Sequence, residues 1–283
     1  MNKIYNDFNE VEDEVRKNAP EIVFKIRTWN SDLHKSLLKD RKLWFSHPFD
    51  LNDELDARPS YEFDQAEVES NEFYQHLVNS APDWKELGVS THEEFEEKCH
   101  AQWNIIKSNP QRHFDMNRAD ILKKERFDTI GILSTTTDGL NAETWDMYGD
   151  KFNGYAVGFN TVELSKEMDC SIGKVKYSDL PYPYRFLVGP LDKIDEFRYK
   201  KEKWQHEDEF RFLTARVGNG FERLREYSPS AVAEIILGHN LSKEDEEEII
   251  GIVKANFPIT VKVYKTSMDY YGNVTKEAIN YSA

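Results

Sequence analysis

The stretch from residue 61 to residue 128 constrains the fold more than any other part of the chain. It is charged, helical in its apolar period, and almost free of glycine and of β-branched runs. Short β-prone runs precede it, at Ile22-Val23-Phe24-Lys25-Ile26 and at Lys42-Leu43-Trp44-Phe45-Ser46. More follow it: Gly131-Ile132-Leu133-Ser134, Tyr155-Ala156-Val157-Gly158-Phe159, Val175-Lys176-Tyr177, Phe210-Arg211-Phe212-Leu213, Glu234-Ile235-Ile236-Leu237 and Val261-Lys262-Val263-Tyr264. Few of these runs are separated by regular helices. The pattern therefore reads as α+β, with a mixed or antiparallel sheet core, rather than as a doubly wound parallel sheet. Residues 1–60 form the N-terminal part of that α+β domain, 61–128 a helical insertion or lid, and 129–283 the remainder.

Local signals place the helices. Asn30-Ser31-Asp32 can cap a helix with Leu33, Leu37 and Leu38 on one face. Ser90-Thr91-His92-Glu93 fits a capping box, after which Phe95, Cys99, Trp103 and Ile106 recur at helical spacing. Pro110 starts a helix carrying Phe114, Ile121 and Leu122. Further helices are predicted over 192–203 and, capped by Ser242, over 242–255.

Composition narrows the function classes. Thirty-seven basic against 52 acidic residues give a net charge of −15. That argues against bulk DNA binding, which runs on phosphate neutralisation, but leaves room for a local basic cleft, for which Lys200, Lys201 and Lys203 are the candidates. No apolar run approaches the ~20 residues of a membrane span. The polar, acidic opening to Glu21 is not a signal peptide, and the two cysteines, Cys99 and Cys170, read as free thiols in a reducing cytoplasm. The sequence has no Walker A loop, no Gly-x-Gly-x-x-Gly, no His-Glu-x-x-His and no Gly-x-Ser-x-Gly.

Four segments taken in order resemble a bacterial family known as domain of unknown function family 2971. They are Phe24 to Arg27 with Lys42-Leu43-Trp44-Phe45-Ser46-His47-Pro48 and Leu51-Asn52-Asp53; Ser134 with Trp145-Asp146-Met147-Tyr148 and Gly154 to Phe159; Phe197 and Lys200 with Trp204 to Arg211; and Ala233 to Gly238. Leu51 and Glu54 replace the Phe and Pro of that family's Phe-Asn-Asp-Pro turn. A second resemblance rests on three short motifs. Arg27, then Ser134-Thr135-Thr136, then Glu207-Asp208-Glu209 is similar to the arginine, serine and glutamate pattern of ADP-ribosyltransferases, although Thr136 stands where Ser is more usual.

The second resemblance implies a fold similar to theirs and NAD as substrate, with protein, nucleic acid or water as acceptor, in a toxin or phage-defence setting. Breaking the nicotinamide–ribose bond develops oxocarbenium character, which a carboxylate stabilises. Glu209 takes that role, and Glu207 orients or deprotonates the acceptor. If the segment is extended, the two side chains share one strand face. Arg27 would hold the diphosphate through its fork of donors, and Ser134 and Thr135 would brace the site. Trp44, Trp145 or Tyr148 would stack on the rings. No metal is called for.

Other readings stay open on the same residues. Glu207 and Glu209 can flank a solvent-facing strand, paired with Lys203 and Arg211. Asp53, Asp56, Glu207 and Glu209 can gather round Mg²⁺ or Mn²⁺ in a nuclease or phosphoesterase. The acidic helical stretch can be the arm of a non-catalytic interaction module.

Overall fold

A computed structural model describes residues 15–81, 88–123, 129–187, 192–214 and 223–280. The first half carries β1 (Ile22–Thr28), α1 (Asp32–Lys39), β2 (Lys42–Trp44), β3 (Tyr61–Phe63), α2 (Gln65–Glu69), α3 (Asn71–Ser80), α4 (His92–Ser108) and α5 (Pro110–Lys123). The second half carries β4 (Gly131–Thr136), α6 (Ala142–Tyr148), β5 (Gly154–Asn160), α7 (Thr161–Glu167), β6 (Ser171–Lys174), β7 (Lys176–Tyr177), β8 (Tyr182–Tyr184), β9 (Tyr199–Lys200), β10 (Glu209–Thr214), β11 (Leu224–Glu226), β12 (Val232–Leu237), α8 (Lys243–Asn256), β13 (Lys262–Met268) and β14 (Val274–Ala278).

Eight of these strands form one mixed sheet in the order β14-β13-β12-β5-β1-β4-β10-β6. Only β12 and β13 run parallel, and α8 connects them; every other pair is antiparallel. The expected α+β class with a mixed sheet core is what the chain forms. Among the described residues, no helix is long and apolar enough to cross a membrane.

Strand alternation sorts β1 between two cores. Val23 faces a large cluster in which Phe45, Phe159 and Phe212 meet Leu37 and Leu38 of α1, Leu164 of α7, and Ile249 and Val253 of α8. Phe24 and Ile26 face the opposite side, against Trp145, Phe152, Ala156 and Ile236. The region 61–128 has a small core of its own, Val68, Phe73 and Ile106. It is tied to the rest by the parallel pairing of β3 with β8 and by Glu67, which accepts from the backbone N–H groups of Phe186 and Leu187.

Three local expectations are corrected. Leu33 does not join the buried face of α1; it is 66% exposed, while Ser31 caps the helix and Leu37 and Leu38 are buried. The capping box sits one residue later, with Thr91 accepting from Glu94 N–H and the Glu94 carboxylate accepting from Ser90 N–H. The helix expected over 192–203 is two 3₁₀ turns, Asp192–Arg198 and Glu202–Glu207, because β9 interrupts it to pair with β7. The side chains of Ile121 and Leu122 and the acidic leader up to residue 14 lie outside the described residues.

Candidate active site

β1 and β4 separate almost as soon as they meet. They are sheet neighbours, yet only Phe24 and Thr136 pair. By contrast, β1 pairs with β5 along its whole length, and β4 does the same with β10. Where β1 leaves, Ser46 takes over the edge of β4 by exchanging backbone hydrogen bonds of 2.8 and 2.9 Å with Ile132. Gly154 permits the close approach of β1 to β5 on the other side, since a Cβ there would lie 2.1 Å from the Arg27 carbonyl oxygen. The parted strands open a cavity of about 450 Å³, within the ~300–1,000 Å³ usual for small-ligand sites.

Arg27, Ser134, Thr135, Tyr148, Glu207 and Glu209 all line this cavity, although they come from widely separated parts of the chain. Asp53 and Asp56 line it as well. Trp145 does not. It is fully buried, stacks on Phe152 at 5.1 Å and 8°, and donates its indole N–H to the Gly139 carbonyl at 2.9 Å. It is a core residue of α6 and offers no face to a ligand. Trp44 also lies off the cavity, on β2, whereas Trp204 lines it. Among the described residues, none of 61–128 contributes to the lining.

The carboxylates sit at the bottom of an ion network. Glu207 and Glu209 are each 4% exposed, which removes the reading of a solvent-facing strand. Lys200 Nζ lies 2.5 Å from Glu207, 3.1 Å from Glu209 and 3.3 Å from Asp56. Arg211, wholly buried, binds Glu209 through Nε at 2.7 Å and a terminal nitrogen at 3.0 Å, and reaches Asp56 at 2.6 Å. Tyr148 donates its hydroxyl to Glu207 at 2.8 Å. The Glu209 backbone N–H is bound by the Tyr177 hydroxyl at 2.9 Å. Three carboxylates against two cations leave this wall with one net negative charge.

Glu207 and Glu209 converge for a reason other than strand alternation. Glu207 ends a 3₁₀ turn and Glu209 starts β10, so they do not share one extended segment. Asp208 between them is left-handed, with φ 42° and ψ 52°. Its carboxylate accepts the Thr137 hydroxyl and pairs with Lys174 at 2.6 Å, and its carbonyl accepts Thr137 N–H at 3.0 Å. That clasp turns the chain so that both glutamates reach Lys200.

Electrostatics follow from the packing. Burial would raise the Glu209 pKa, but Arg211, Lys200 and the Ser134 hydroxyl overcome it and hold the group down at about 2. Asp53 is likewise held at about 2. Against its burial stand the Leu55 N–H, the Trp204 indole N–H at 2.5 Å and Lys203 at 3.0 Å. Lys200 is raised above its ordinary value, because Glu209, Asp56 and Glu207 outweigh its burial. Lys200 is therefore no surface cation of a basic cleft; it is spent inside the network.

β1 adds two cations to the lining, Lys25 and Arg27. Arg27 donates weakly to its neighbour's carbonyl, at 3.4 Å, and Lys25 Nζ donates to the Ser134 carbonyl at 2.5 Å. Among the described residues, neither makes an ion pair. Burial, and for Lys25 also the Arg27 charge, lowers both.

Set against family models, curated proteins and solved structures, the chain matches none. Its function must therefore be read from the cavity itself.

Sequence reasoning missed Lys25, Asp56 as a partner of Arg211, and the central role of Lys200. A lysine two residues before Arg27, on the same strand face, was the one available signal for Lys25. Nothing local marks Asp56 or Lys200 as parts of one network. The four acids named for a metal site do not all converge, and the three that do surround the Lys200 ammonium. Among the described residues, no group of three or more His, Cys, Asp or Glu is arranged to hold a metal ion.

Proposed function

We propose that the chain is a NAD-using ADP-ribosyltransferase-like enzyme that cleaves the nicotinamide–ribose bond and passes the ribosyl group to an acceptor, or to water as a NAD glycohydrolase. The observation that carries this reading is the meeting of Arg27, Ser134, Thr135, Glu207 and Glu209 in one cavity at the parting of β1 and β4. The resemblances to domain of unknown function family 2971 and to the arginine, serine and glutamate transferases belong to the same proposal.

Charge complementarity supports it. The acid wall, with one net negative charge, suits the cationic nicotinamide ring and the positive charge that grows on the ribose as the bond breaks. Glu209 is the stabilising carboxylate: it is held ionised at about 2 and fixed by Arg211. Glu207, hydrogen-bonded to Tyr148, orients or deprotonates the acceptor. Arg27, on the same lining, holds the diphosphate. Ser134 helps to hold the Glu209 pKa down, and Thr135 is turned into the sheet, donating to the Phe210 carbonyl at 2.6 Å. Both brace the strand that carries the wall. Tyr148 belongs here as a hydroxyl partner of Glu207. The metal-dependent nuclease reading has less support, because the converging acids are turned onto Lys200 and Arg211.

The test is nicotinamide release from NAD in fresh bacterial lysate, comparing the native chain with Glu209→Gln and Glu207→Gln. Release by the native chain that is lost with Glu209→Gln, in a variant whose circular dichroism is unchanged, supports the reading. Glu207→Gln should slow transfer more than hydrolysis. No release from the native chain sinks the proposal.

A further inference from the structure

The acids of the cavity are ion-paired with Lys200 and Arg211, but among the described residues the two cations of β1 have no such partner. Lys25 and Arg27 lie two apart on β1, so their side chains share a face, and both line the cavity. Among the described residues, no carboxylate pairs with either. A third group on the same lining has no partner at all. Thr144 is 4% exposed, and its hydroxyl oxygen has no hydrogen-bond partner. Buried polar groups are almost always paired, and charges more so. Two cations and a hydroxyl left open around one cavity describe the complement of an anion with several acceptor oxygens.

We propose that Lys25, Arg27 and Thr144 form the seat for the phosphate or diphosphate group of a nucleotide ligand, with Lys25 as the residue that determines whether the anion is held. Arg27 supplies a planar fork, and Lys25 a compact ammonium with protons to spare beyond the Ser134 carbonyl. The seat rests on the transferase reading for the role of Arg27 and deepens it with Lys25 and Thr144, which that reading did not use.

The seat couples binding to a proton. In the free protein, burial and the neighbouring Arg27 push Lys25 well below its ordinary value; Glu209 and Glu207 oppose this and Arg211 adds to it. An anion beside Lys25 reverses the balance, so the ligand should bind together with a proton. The other group in range is His34 of α1, itself lowered by burial and by Arg27 and Lys25. Uptake by His34 would survive replacement of Lys25; uptake by Lys25 would not.

The experiment is calorimetric titration of the full chain with ADP-ribose, whose bridging diphosphate does not titrate near neutrality. It is run in two buffers of different ionisation enthalpy across mildly acidic to alkaline pH, with adenosine and inorganic pyrophosphate as companion probes. The expected results are binding with proton uptake that grows towards one as pH rises, no binding of adenosine, and an affinity that falls about tenfold per pH unit once free Lys25 is neutral. Lys25→Met should weaken binding at least tenfold and abolish the uptake. Lys25→Arg, which keeps the charge and cannot release it, should bind without uptake, and this holds even if the Met variant fails to fold. Equal binding of adenosine, proton uptake that survives Lys25→Met, or no binding of either anion overturns the proposal. Lys25-dependent binding of pyrophosphate or ADP-ribose without nicotinamide release from NAD keeps the seat and removes the transferase.

Discussion

Arg211 holds Glu209 through both carboxylate oxygens, from Nε at 2.7 Å and from a terminal nitrogen at 3.0 Å. The two residues sit two apart on β10, so strand geometry itself aims them at the same space. The guanidinium then continues to Asp56 and to the Phe197 carbonyl at 2.5 Å, which ties the loop before β3 and the segment before β9 to β10, next to the edge of the sheet. The candidate site and the fold therefore share a fastening, and variants at that point act on both.

Arg211→Met tests the fastening. It leaves Glu209 and Asp56 buried with a cation removed, and breaking a buried ion pair from one side costs about 3–5 kcal/mol. The variant should show a lower urea midpoint with an unchanged slope. A loss below about 1 kcal/mol would mean that the network relaxes to water and is not the anchor described.

Acid sensitivity should trace to the same carboxylates. Glu209 falls from an ordinary 4.5 to about 2 on folding, and Asp53 from 3.8 to about 2. Their folded pKa values lie below the unfolded ones, so their contribution is complete above the ordinary carboxylate range and is lost as pH falls through it towards 2. Urea midpoints measured from neutral pH down to strongly acidic pH should drop steeply in the native chain and more gently in Glu209→Gln. Parallel curves would refute this assignment.

Asp208 sets the aim of both glutamates. Its left-handed φ of 42° is open to glycine and costs a β-branched residue roughly 1–2 kcal/mol. Asp208→Gly loses the Thr137 clasp but keeps the turn, whereas Asp208→Val loses both. Nicotinamide release should survive in the first variant at reduced rate and collapse in the second. Equal rates in the two would show that the turn does not position the pair.

Gly154 marks where β1 is pinned while it turns away from β4. Gly154→Ala drives a methyl group towards the Arg27 carbonyl, 2.1 Å from the ideal Cβ position, and the obstacle is backbone, not a flexible side chain. The variant should lose about 1–3 kcal/mol and displace Arg27, weakening ADP-ribose binding more than a surface Gly251→Ala control, where nothing stands within 4 Å. Similar affinities for the two variants would count against the seat on β1.

Much of this was legible in the sequence, and the reason is periodicity. β4, β5, β10 and β12 follow β-prone runs that each carry their own signal, and α8 begins at its Ser242 cap as its spelling requires. Arg27, Ser134 and the two glutamates were named on their resemblance to a transferase pattern, and the fold brings them to one cavity. What stayed hidden depends on contacts across the chain. Trp145 looked like a platform because a tryptophan beside a site tyrosine carries no mark of which side it faces; only the packing against Phe152 decides. Lys200 read as a surface cation because its partners are contributed by the chain on either side of the helical region. The 3₁₀ turn and left-handed Asp208 leave no periodic trace, so the convergence of the acids was read for the wrong geometric reason.

The parting of β1 from β4 also orders events during synthesis. The two cations are translated first, on β1, and the acid network is complete only with Glu209 and Arg211 of β10, almost two hundred residues later. Any chemistry that needs both sets of groups therefore waits until β10 has joined β4 in the sheet.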